Sequence, residues 1–277
     1  MAIDKYRFRV EEALRQFILQ MGEKNQLRDA CEFALLNGGK RLRPILVLLV
    51  AEALDKGKNA MPAALSVEFF HTASLIADDL PCMDNDDMRR NRPSLHKAFG
   101  ESVAILASYA LIAEGYGGIH RNSLIQPEAD PLICLEAATR CAGICGATNG
   151  QYLDLYPPDS SLETIQKIIY QKTVTLFEIS FIFGWVFGGG DVEKLDSVRK
   201  CAYHLGMAFQ IADDLLDDFQ DSDRGSPINI ATCCGRERAE SLFAGELDSF
   251  IGSLKQLGLW TDSFQEVVHF LDNYAAI

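Results

Sequence analysis

IADDLPCMDNDDMRR, residues 76–90, places five aspartates and two arginines directly after an apolar run that has helical spacing. A sixth acid, Glu68, stands a few helical turns upstream. Carboxylates this close together repel one another, so the cluster needs a counter-charge. Mg²⁺ suits it because this ion takes only one or two carboxylates and completes its shell with water and substrate phosphate. The stretch therefore predicts a magnesium site at the end of a helix.

A second acidic cluster, FQIADDLLD, occupies residues 209–217. Asp213 and Asp217 are four residues apart and Asp214 is three from Asp217, a spacing that belongs to one helical face. A solvated acidic helix end is the alternative interpretation. Apolar residues flank both clusters, which favours carboxylates that emerge from buried faces. We therefore expect two aspartate faces that oppose each other across a cavity.

A basic cluster, GGKRLRP at residues 38–44, concentrates Lys40, Arg41 and Arg43 at a glycine break. The free backbone N–H groups of a helix start, with cations beside them, suit a diphosphate, and arginine adds bidentate geometry. An ordinary basic turn is the alternative, and the two aspartate clusters make it the weaker one. The three clusters together predict a site for metal-bound diphosphates.

Composition narrows the class of protein. The 277 residues carry 26 basic and 39 acidic side chains, a formal charge of −13. Nucleic-acid binding needs a basic surface, so we expect no nucleic-acid partner. With 48% hydrophobic residues, nine prolines and no linker-like segment, residues 1–277 are expected to form one domain rather than two.

The eight cysteines include no CxxC pair, so neither zinc nor a disulfide framework is expected. We interpret them as small buried hydrophobes in a reducing compartment. The first residues lack the apolar core of a signal peptide, and the apolar stretches are short or interrupted by Glu178. We therefore expect no membrane span and a cytoplasmic location.

Apolar residues recur at three- and four-residue spacings along most of the chain, and no stretch alternates as a strand does. The pattern predicts an all-α fold, a large helical bundle whose central helices carry the site. The expected helices cover residues 4–21, 25 or 27 to the break at 37, 43–54, 62–79, 102–119, 131–151, 161–187, 191–218, 236–257 and 261–274.

The three motifs, in this order and spacing, resemble those of the trans-isoprenyl diphosphate synthases, most closely the short-chain geranylgeranyl and farnesyl diphosphate synthases. The resemblance extends over nearly the whole chain. It implies a helical bundle with a central active-site cavity and a homodimer. It also implies a Mg²⁺-dependent prenyltransferase that condenses isopentenyl diphosphate with dimethylallyl, geranyl or farnesyl diphosphate.

The resemblance also implies a role for individual residues. Three Mg²⁺ ions to an active site would be held by six catalytic carboxylates, namely Asp78, Asp79, Asp84, Asp213, Asp214 and Asp217. Isopentenyl diphosphate would be bound by Lys40, Arg43, His71 and Arg90. The allylic diphosphate would be bound by Arg89, Lys172, Thr173 and Gln210, with Lys172 also catalytic. Gln151 and Asp154, in NGQYLDL, match a further stretch of the family.

Product length is predicted from the helix before Asp78. Ser74, Ala73 and Phe70 precede it by four, five and eight residues, and Ala73 lies about 7 Å below it at 1.5 Å per residue. In the family, an aromatic residue at the fifth position stops the product at fifteen carbons. Ala73 and Ser74 leave that depth open, and Phe70 or Phe69 would form a floor further down. The expected product is geranylgeranyl diphosphate, with farnesyl diphosphate as the alternative.

This sequence departs from the family pattern in several places. Ala77 replaces a histidine, Asn91 a glycine, and Ser108 with Tyr109 a Gly-Asp pair, while Arg224 is the one basic residue in a loop that is usually lysine-rich. A terpene cyclase would not need GGKRLRP, since it binds no second diphosphate substrate. A catalytically weak regulatory subunit is a further alternative, and the presence of all six aspartates disfavours it.

Overall fold

The computed structural model describes residues 2–221 and 229–275, with side chains for residues 3–216 and 229–275. In these ranges the chain forms fourteen α-helices and one hairpin of two-residue strands. The α-helices are α1 (Ala2–Ile18), α2 (Gln26–Leu35), α3 (Leu42–Ala53), α4 (Met61–Asp78), α5 (Leu95–Phe99), α6 (Glu101–Ile125), α7 (Pro131–Ala142), α8 (Ala147–Leu155), α9 (Leu162–Ile169), α10 (Thr175–Phe187), α11 (Leu195–Asp221), α12 (Ile230–Cys234), α13 (Arg236–Leu257) and α14 (Asp262–Ala275). The strands are β1 (Met88–Arg89) and β2 (Arg92–Pro93).

The all-α prediction is confirmed, and most predicted helices lie within a few residues of those observed. The predicted run of residues 161–187 is continuous because α9 passes into α10 through a π-helical turn, Tyr170–Val174. A short 3₁₀ turn, Val192–Lys194, precedes α11. The hairpin and the five-residue helices α5 and α12 were not predicted, because segments this short hold too few residues to show a period.

The predicted single helix at residues 131–151 is wrong. The chain leaves the helical conformation between α7 and α8, and Gly146 has φ −139° and ψ −129°. A Cβ atom at Gly146 would lie 1.9 Å from the carbonyl oxygen of Cys141, so only glycine fits this turn. The break changes the direction of the chain before α8, and residues of α8 line a cavity.

The core is built around α10, whose residues are all buried. Four of its phenylalanines are completely covered, each contributing about 2–3 kcal/mol through burial: Phe177, Phe181, Phe183 and Phe187. Helices α3, α4 and α11 pack against α10. Because these helices are anchored by apolar burial, the functional groups at the start of α3, the end of α4 and the middle of α11 are held rigidly.

Helices α4 and α6 approach each other unusually closely. A Cβ atom at Gly118 of α6 would lie 2.6 Å from the Cβ of Ser66 on α4. The Ser66 hydroxyl donates to the carbonyl of Gly115, and the Ser108 hydroxyl donates to the carbonyl of Ala73 at 3.0 Å. These contacts fix the two helices on either side of the space below the first aspartate motif.

Within residues 2–221 and 229–275, one helix, α6, is long and apolar enough to cross a membrane, judged by length and composition alone. One face of it is the packed contact with α4 described above. The expectation of no membrane span stays a prediction.

The prediction of buried cysteines is correct for four of them, Cys31, Cys134, Cys141 and Cys201. It is wrong for Cys82, Cys145 and Cys233, which are exposed, and Cys234 is half-buried. Cys82 and Cys145 lie in the connections that follow α4 and α7, and Cys233 lies on the short helix α12. Residues in such positions have no neighbouring layer to cover them.

Candidate active site

Two adjoining cavities lie at the ends of the central helices. The first has a volume of about 570 Å³ and is lined by charged side chains from α4, α11, the π-helical turn and the segments around the start of α3 and after α4. It is called the diphosphate cavity here after the ligand that the three sequence motifs predict. The second, the apolar tunnel, has a volume of about 560 Å³. Ser74, Asp78, Lys172 and Leu176 border both cavities. A ligand can therefore place a charged head group in the first cavity and extend an attached hydrocarbon chain into the second.

Three of the predicted carboxylates face the diphosphate cavity: Asp78, Asp84 and Asp213. The N–H of Asp84 donates to the carbonyl of Asp78 at 2.9 Å, which folds the loop back against α4. Gln151 of α8 donates to the Asp84 carboxylate at 3.2 Å. Burial raises the pKa of Asp78 to about 7, with Lys172 opposing the shift and Asp84 adding to it.

Asp79 and Asp214 do not line either cavity. Asp79 is 3% exposed and accepts a 2.9 Å hydrogen bond from Nε of Arg89. Asp214 is 7% exposed and accepts from Gln210 at 2.9 Å and from the N–H of Ile230 at 2.8 Å. The prediction that these two carboxylates bind Mg²⁺ does not fit this geometry. The side chain of Asp217, the sixth predicted ligand, lies outside the described residues.

Arg43 and His71 form the inner basic wall of the diphosphate cavity. Nη1 of Arg43 lies 3.3 Å from Nε2 of His71, and its guanidinium lies 4.6 Å above the ring of Phe177. In the described part of the chain, no carboxylate is within ion-pair distance of Arg43, and its Nε has no hydrogen-bond partner. Desolvation lowers the pKa of Arg43 to about 10, so it stays charged at neutral pH.

Burial, with the neighbouring arginines, holds the pKa of His71 well below its ordinary value. The ring is therefore neutral at pH 7. Because Arg43 is a donor, Nε2 of His71 accepts from it and the proton lies on Nδ1. Among the described residues Nδ1 has no partner. His71 lines the cavity, and its Nδ1–H is a buried donor that no described residue uses.

Arg90 and Lys40 stand at the rim of the cavity. Arg90 has a φ of 54°, and its guanidinium donates to the carbonyl of Gly38. A Cβ atom at Gly39 would lie 2.5 Å from this guanidinium. The second glycine of GGKRLRP therefore leaves the space that the Arg90 side chain occupies. Nζ of Lys40 lies 3.9 Å from the Asp213 carboxylate and 3.7 Å from the centre of the Tyr274 ring.

Lys172 and Thr173 lie in the π-helical turn, a distortion that often marks functional sites. Lys172 is paired with Asp154. The Thr173 hydroxyl donates to Gln210 at 2.9 Å. A Cβ atom at Gly150 would lie 2.3 Å from the backbone nitrogen of Lys172, so α8 presses directly on the turn.

The structure brings all the predicted diphosphate-binding side chains to the wall of one cavity. They are Lys40, Arg43, His71, Arg89, Arg90, Lys172, Thr173 and Gln210.

The apolar tunnel is lined by the three predicted chain-length residues, Phe70, Ala73 and Ser74. The Phe70 ring packs edge-on to Tyr116 at 5.1 Å, and a Cβ atom at Gly115 would lie 2.6 Å from it. The alternative floor, Phe69, is wrong, because this ring packs on Phe17 at 4.7 Å instead.

Several further tunnel residues were missed by the sequence reasoning, among them Ile112, Tyr152 and Tyr156. The four-residue spacing of the two tyrosines, which follow the NGQ match, was the signal that could have indicated them.

Three departures from the family pattern lie at or near the site, and one of them, Asn91, has a clear local role. Arg90 and Asn91 have φ of 54° and 62° and form the two-residue turn between β1 and β2. This turn needs left-handed residues, and asparagine tolerates that conformation. Ser108 and Ala77 both line the tunnel. Arg224 lies outside the described residues.

A family model for polyprenyl synthetases matches residues 12–227. The chain belongs to this family. The expected family is thus confirmed. The structure of a geranyltransferase from Legionella pneumophila is similar with a TM-score of 0.89, 30% identity and coverage of 100% of this chain and 97% of that one. The structure of an FPP/GFPP synthase from Zymomonas mobilis is similar with a TM-score of 0.85, 29% identity and coverage of 97% and 98%.

Curated plant proteins are more similar in sequence. The large subunit 2 of a heterodimeric geranylgeranyl pyrophosphate synthase from Arabidopsis thaliana is 39% identical over 220 residues, which cover 77% of this chain and 58% of the relative. A geranylgeranyl pyrophosphate synthase from Capsicum annuum is 38% identical over 212 residues, 75% of this chain and 57% of the relative. The chain thus spans less than two thirds of the length of these relatives.

Proposed function

We propose that this protein is a prenyltransferase that joins isopentenyl diphosphate to an allylic diphosphate. The observation that carries the proposal is the charge pattern of the diphosphate cavity. Arg43 stands in its wall without a carboxylate partner in the described part of the chain, beside the unused N–H of His71. A half-buried cation of this kind needs a counter-charge, and a diphosphate supplies it.

Each diphosphate has its own set of donors in the proposal. Arg43, His71, Lys40 and Arg90 hold isopentenyl diphosphate, while Arg89, Lys172, Thr173 and Gln210 hold the allylic diphosphate. The two sets lie on one cavity, so the double bond of the first substrate can attack the allylic carbon as its carbon–oxygen bond breaks. The new carbon–carbon bond lengthens the chain by five carbons, and the proton that is lost passes to the departing diphosphate. The apolar tunnel takes up the growing chain and excludes water from it.

The carboxylates facing the cavity fit Mg²⁺. They offer only hard oxygen ligands, and in the described part of the chain no three His, Cys, Asp or Glu side chains converge to hold an ion alone. This suits Mg²⁺, which fills its shell with water and diphosphate oxygens. We propose that Asp78, Asp84 and Asp213 hold it. When bound, Mg²⁺ supplies positive charge that stabilises the departing diphosphate.

For the product we propose geranylgeranyl diphosphate, with farnesyl diphosphate as the alternative. The plant relatives, which are named as geranylgeranyl pyrophosphate synthases, support the first, and the structural neighbour named as a geranyltransferase supports the second. The open tunnel wall at Ala73 and Ser74 favours the longer product.

We also propose that a second subunit covers the outer face of α6. Ile105, Leu106 and Tyr109 recur there at three- and four-residue spacings and are 37%, 52% and 65% exposed. An apolar face of this kind is typical of a protein interface. A second copy of this chain is the proposed occupant, and the heterodimeric relative makes a different subunit the alternative outcome. Light scattering of the purified chain, compared with an Ile105→Glu variant, tests the homodimer.

The proposed reaction is tested with labelled isopentenyl diphosphate, Mg²⁺ and each of the dimethylallyl, geranyl and farnesyl primers, followed by sizing of the dephosphorylated products. A twenty-carbon alcohol is expected, and EDTA should abolish its formation. Arg43→Gln should raise KM for isopentenyl diphosphate, whereas Lys97→Gln, on the exposed helix α5, serves as a control for the loss of a positive charge. No product from any primer would refute the proposal and indicate a regulatory subunit.

A further inference from the structure

The two adjacent aspartates of each motif have different surroundings. Asp78 and Asp213 line the diphosphate cavity, whereas Asp79 and Asp214 are buried behind it. Both buried carboxylates already accept hydrogen bonds from groups that are themselves fixed in the protein. Oδ1 of Asp79 and both oxygens of Asp214 are engaged with protein donors.

Asp79 forms a hydrogen-bonded ion pair with Arg89. Its carboxylate accepts from Nε and Nη2 of Arg89, so it grips the guanidinium through two nitrogens. The same arginine lines the diphosphate cavity. Its backbone is held too, because the side chain of Asn37 donates to the Arg89 carbonyl at 3.1 Å. Fixing both ends of a long side chain removes most of the rotamer freedom that binding a ligand would otherwise have to restrict.

Asp214 plays a parallel part on α11. Its two oxygens accept from the amide of Gln210 at 2.9 Å and from the N–H of Ile230 at 2.8 Å. The oxygen of the same Gln210 amide accepts from Thr173 at 2.9 Å. This chain of hydrogen bonds sets which end of the Gln210 amide faces each neighbour.

We propose that the second aspartate of each motif is a positioning residue, with Asp79 orienting Arg89 and Asp214 orienting Gln210 toward a bound diphosphate. The inference rests on the proposed function, since it assumes that the cavity binds a diphosphate. A grip through two nitrogens selects one guanidinium orientation, as a single contact would not.

The test measures binding of inorganic pyrophosphate by calorimetry at a fixed excess of Mg²⁺. Losing the oriented, charge-assisted contact of Arg89 is expected to weaken binding by about tenfold in Arg89→Gln and by a similar factor in Asp79→Asn. The double variant should bind no more weakly than Arg89→Gln alone, because Asp79 acts through the arginine. Asp86→Asn is the matched control: this exposed carboxylate stands 3.5 Å from the same guanidinium and should change little.

A Mg²⁺ titration separates positioning from metal binding when pyrophosphate is fixed far below the Kd of every variant, because its own affinity then does not shift the Mg²⁺ midpoint. Asp78→Asn should raise the Mg²⁺ concentration needed for half-maximal binding, and Asp79→Asn and Asp214→Asn should leave it unchanged.

Should Asp79→Asn fail to fold, Arg89→Lys is the substitute variant, because it keeps Asp79 and removes only the contact through two guanidinium nitrogens. It should weaken pyrophosphate binding as Asp79→Asn would, and wild-type affinity in Arg89→Lys would overturn the proposal.

Additive losses in the double variant, or an Asp79→Asn variant that needs more Mg²⁺, would also overturn it. A wild-type chain that binds no pyrophosphate would refute the proposed function and this inference together. Binding is measured without prenyl transfer. A chain that binds pyrophosphate but makes no prenyl product would therefore refute the proposed reaction without refuting the positioning role of Asp79 and Asp214.

Discussion

The length of the product should change by one five-carbon unit when the tunnel wall of α4 is rebuilt. Ala73 and Phe70 precede Asp78 by five and eight residues, which places them about 7 Å and 12 Å below it at 1.5 Å per residue. The difference is close to the roughly 5 Å that four extended carbon–carbon bonds add. Ala73→Phe should therefore move the main product from twenty to fifteen carbons, and Phe70→Ala should allow products longer than twenty.

The assay separates dephosphorylated products after incubation with labelled isopentenyl diphosphate and geranyl diphosphate. Phe70→Ala leaves a cavity that costs about 3–5 kcal/mol of stability. Phe70→Leu is therefore the milder companion, because it shortens the floor while filling most of the space. Ala98→Phe, on the separate helix α5, controls for the addition of a ring outside the tunnel. Circular dichroism confirms that each variant is folded before its products are compared.

The reasoning fails if a folded Ala73→Phe variant still makes the wild-type product. The chain would then leave Asp78 in a direction other than along α4. It also fails if Phe70→Ala and Phe70→Leu both leave the longest product unchanged, because Phe70 would then not be the floor.

Three further predictions concern stability and are checked by urea unfolding. Arg41 is 3% exposed and is paired with Glu68, which is 1% exposed, so Glu68→Gln should lower the unfolding free energy by about 3 kcal/mol through loss of a buried charge partner. Asp214→Asn turns one acceptor oxygen into a donor facing another donor and should cost about 1–3 kcal/mol. The pKa of His71 is lower in the folded chain than the roughly 6.5 expected when unfolded, so the unfolded chain takes up a proton first. Its contribution to stability is present above about pH 6.5 and is lost as pH falls, so His71→Asn should show a flatter loss of stability between pH 7 and pH 5. An unchanged slope in His71→Asn, or wild-type stability in either of the other variants, would contradict these assignments.

The sequence predicted which segments meet at the site but not which aspartates face the cavity. Adjacent residues on an α-helix point about 100° apart, so Asp78 and Asp79 need not face the same cavity. The same holds for Asp213 and Asp214. Periodicity alone therefore does not establish that six ligands converge. Which member of each pair faces inward depends on how α4 and α11 rotate against their neighbours, and that is settled by packing across the core.

The missed backbone features have different physical causes. The break at Gly146 is a local turn against the carbonyl of Cys141, five residues earlier, whereas the π-helical turn at Lys172 lies against a segment distant in sequence. Gly150 lies against the backbone of Lys172, 22 residues later, and no local pattern encodes that approach. Helix existence was predictable because apolar spacing is a local property. The π-helical turn that places Lys172 and Thr173 at the cavity depends instead on contacts between helices in the folded bundle.

The cations of the cavity differ in how their charge is compensated, and this gives the two halves of the site different character. Lys172 pairs with Asp154, and Arg89 pairs with Asp79, so both are oriented before any ligand arrives. Arg43 has no carboxylate within ion-pair distance in the described part of the chain. A diphosphate beside Arg43 gains the whole attraction of a poorly solvated cation, whereas one beside Lys172 must share it with a carboxylate. The wall at Arg43 is therefore suited to affinity, and the paired cations Lys172 and Arg89 are suited to orientation. That division suits a reaction in which one diphosphate stays on its product fragment while the other departs.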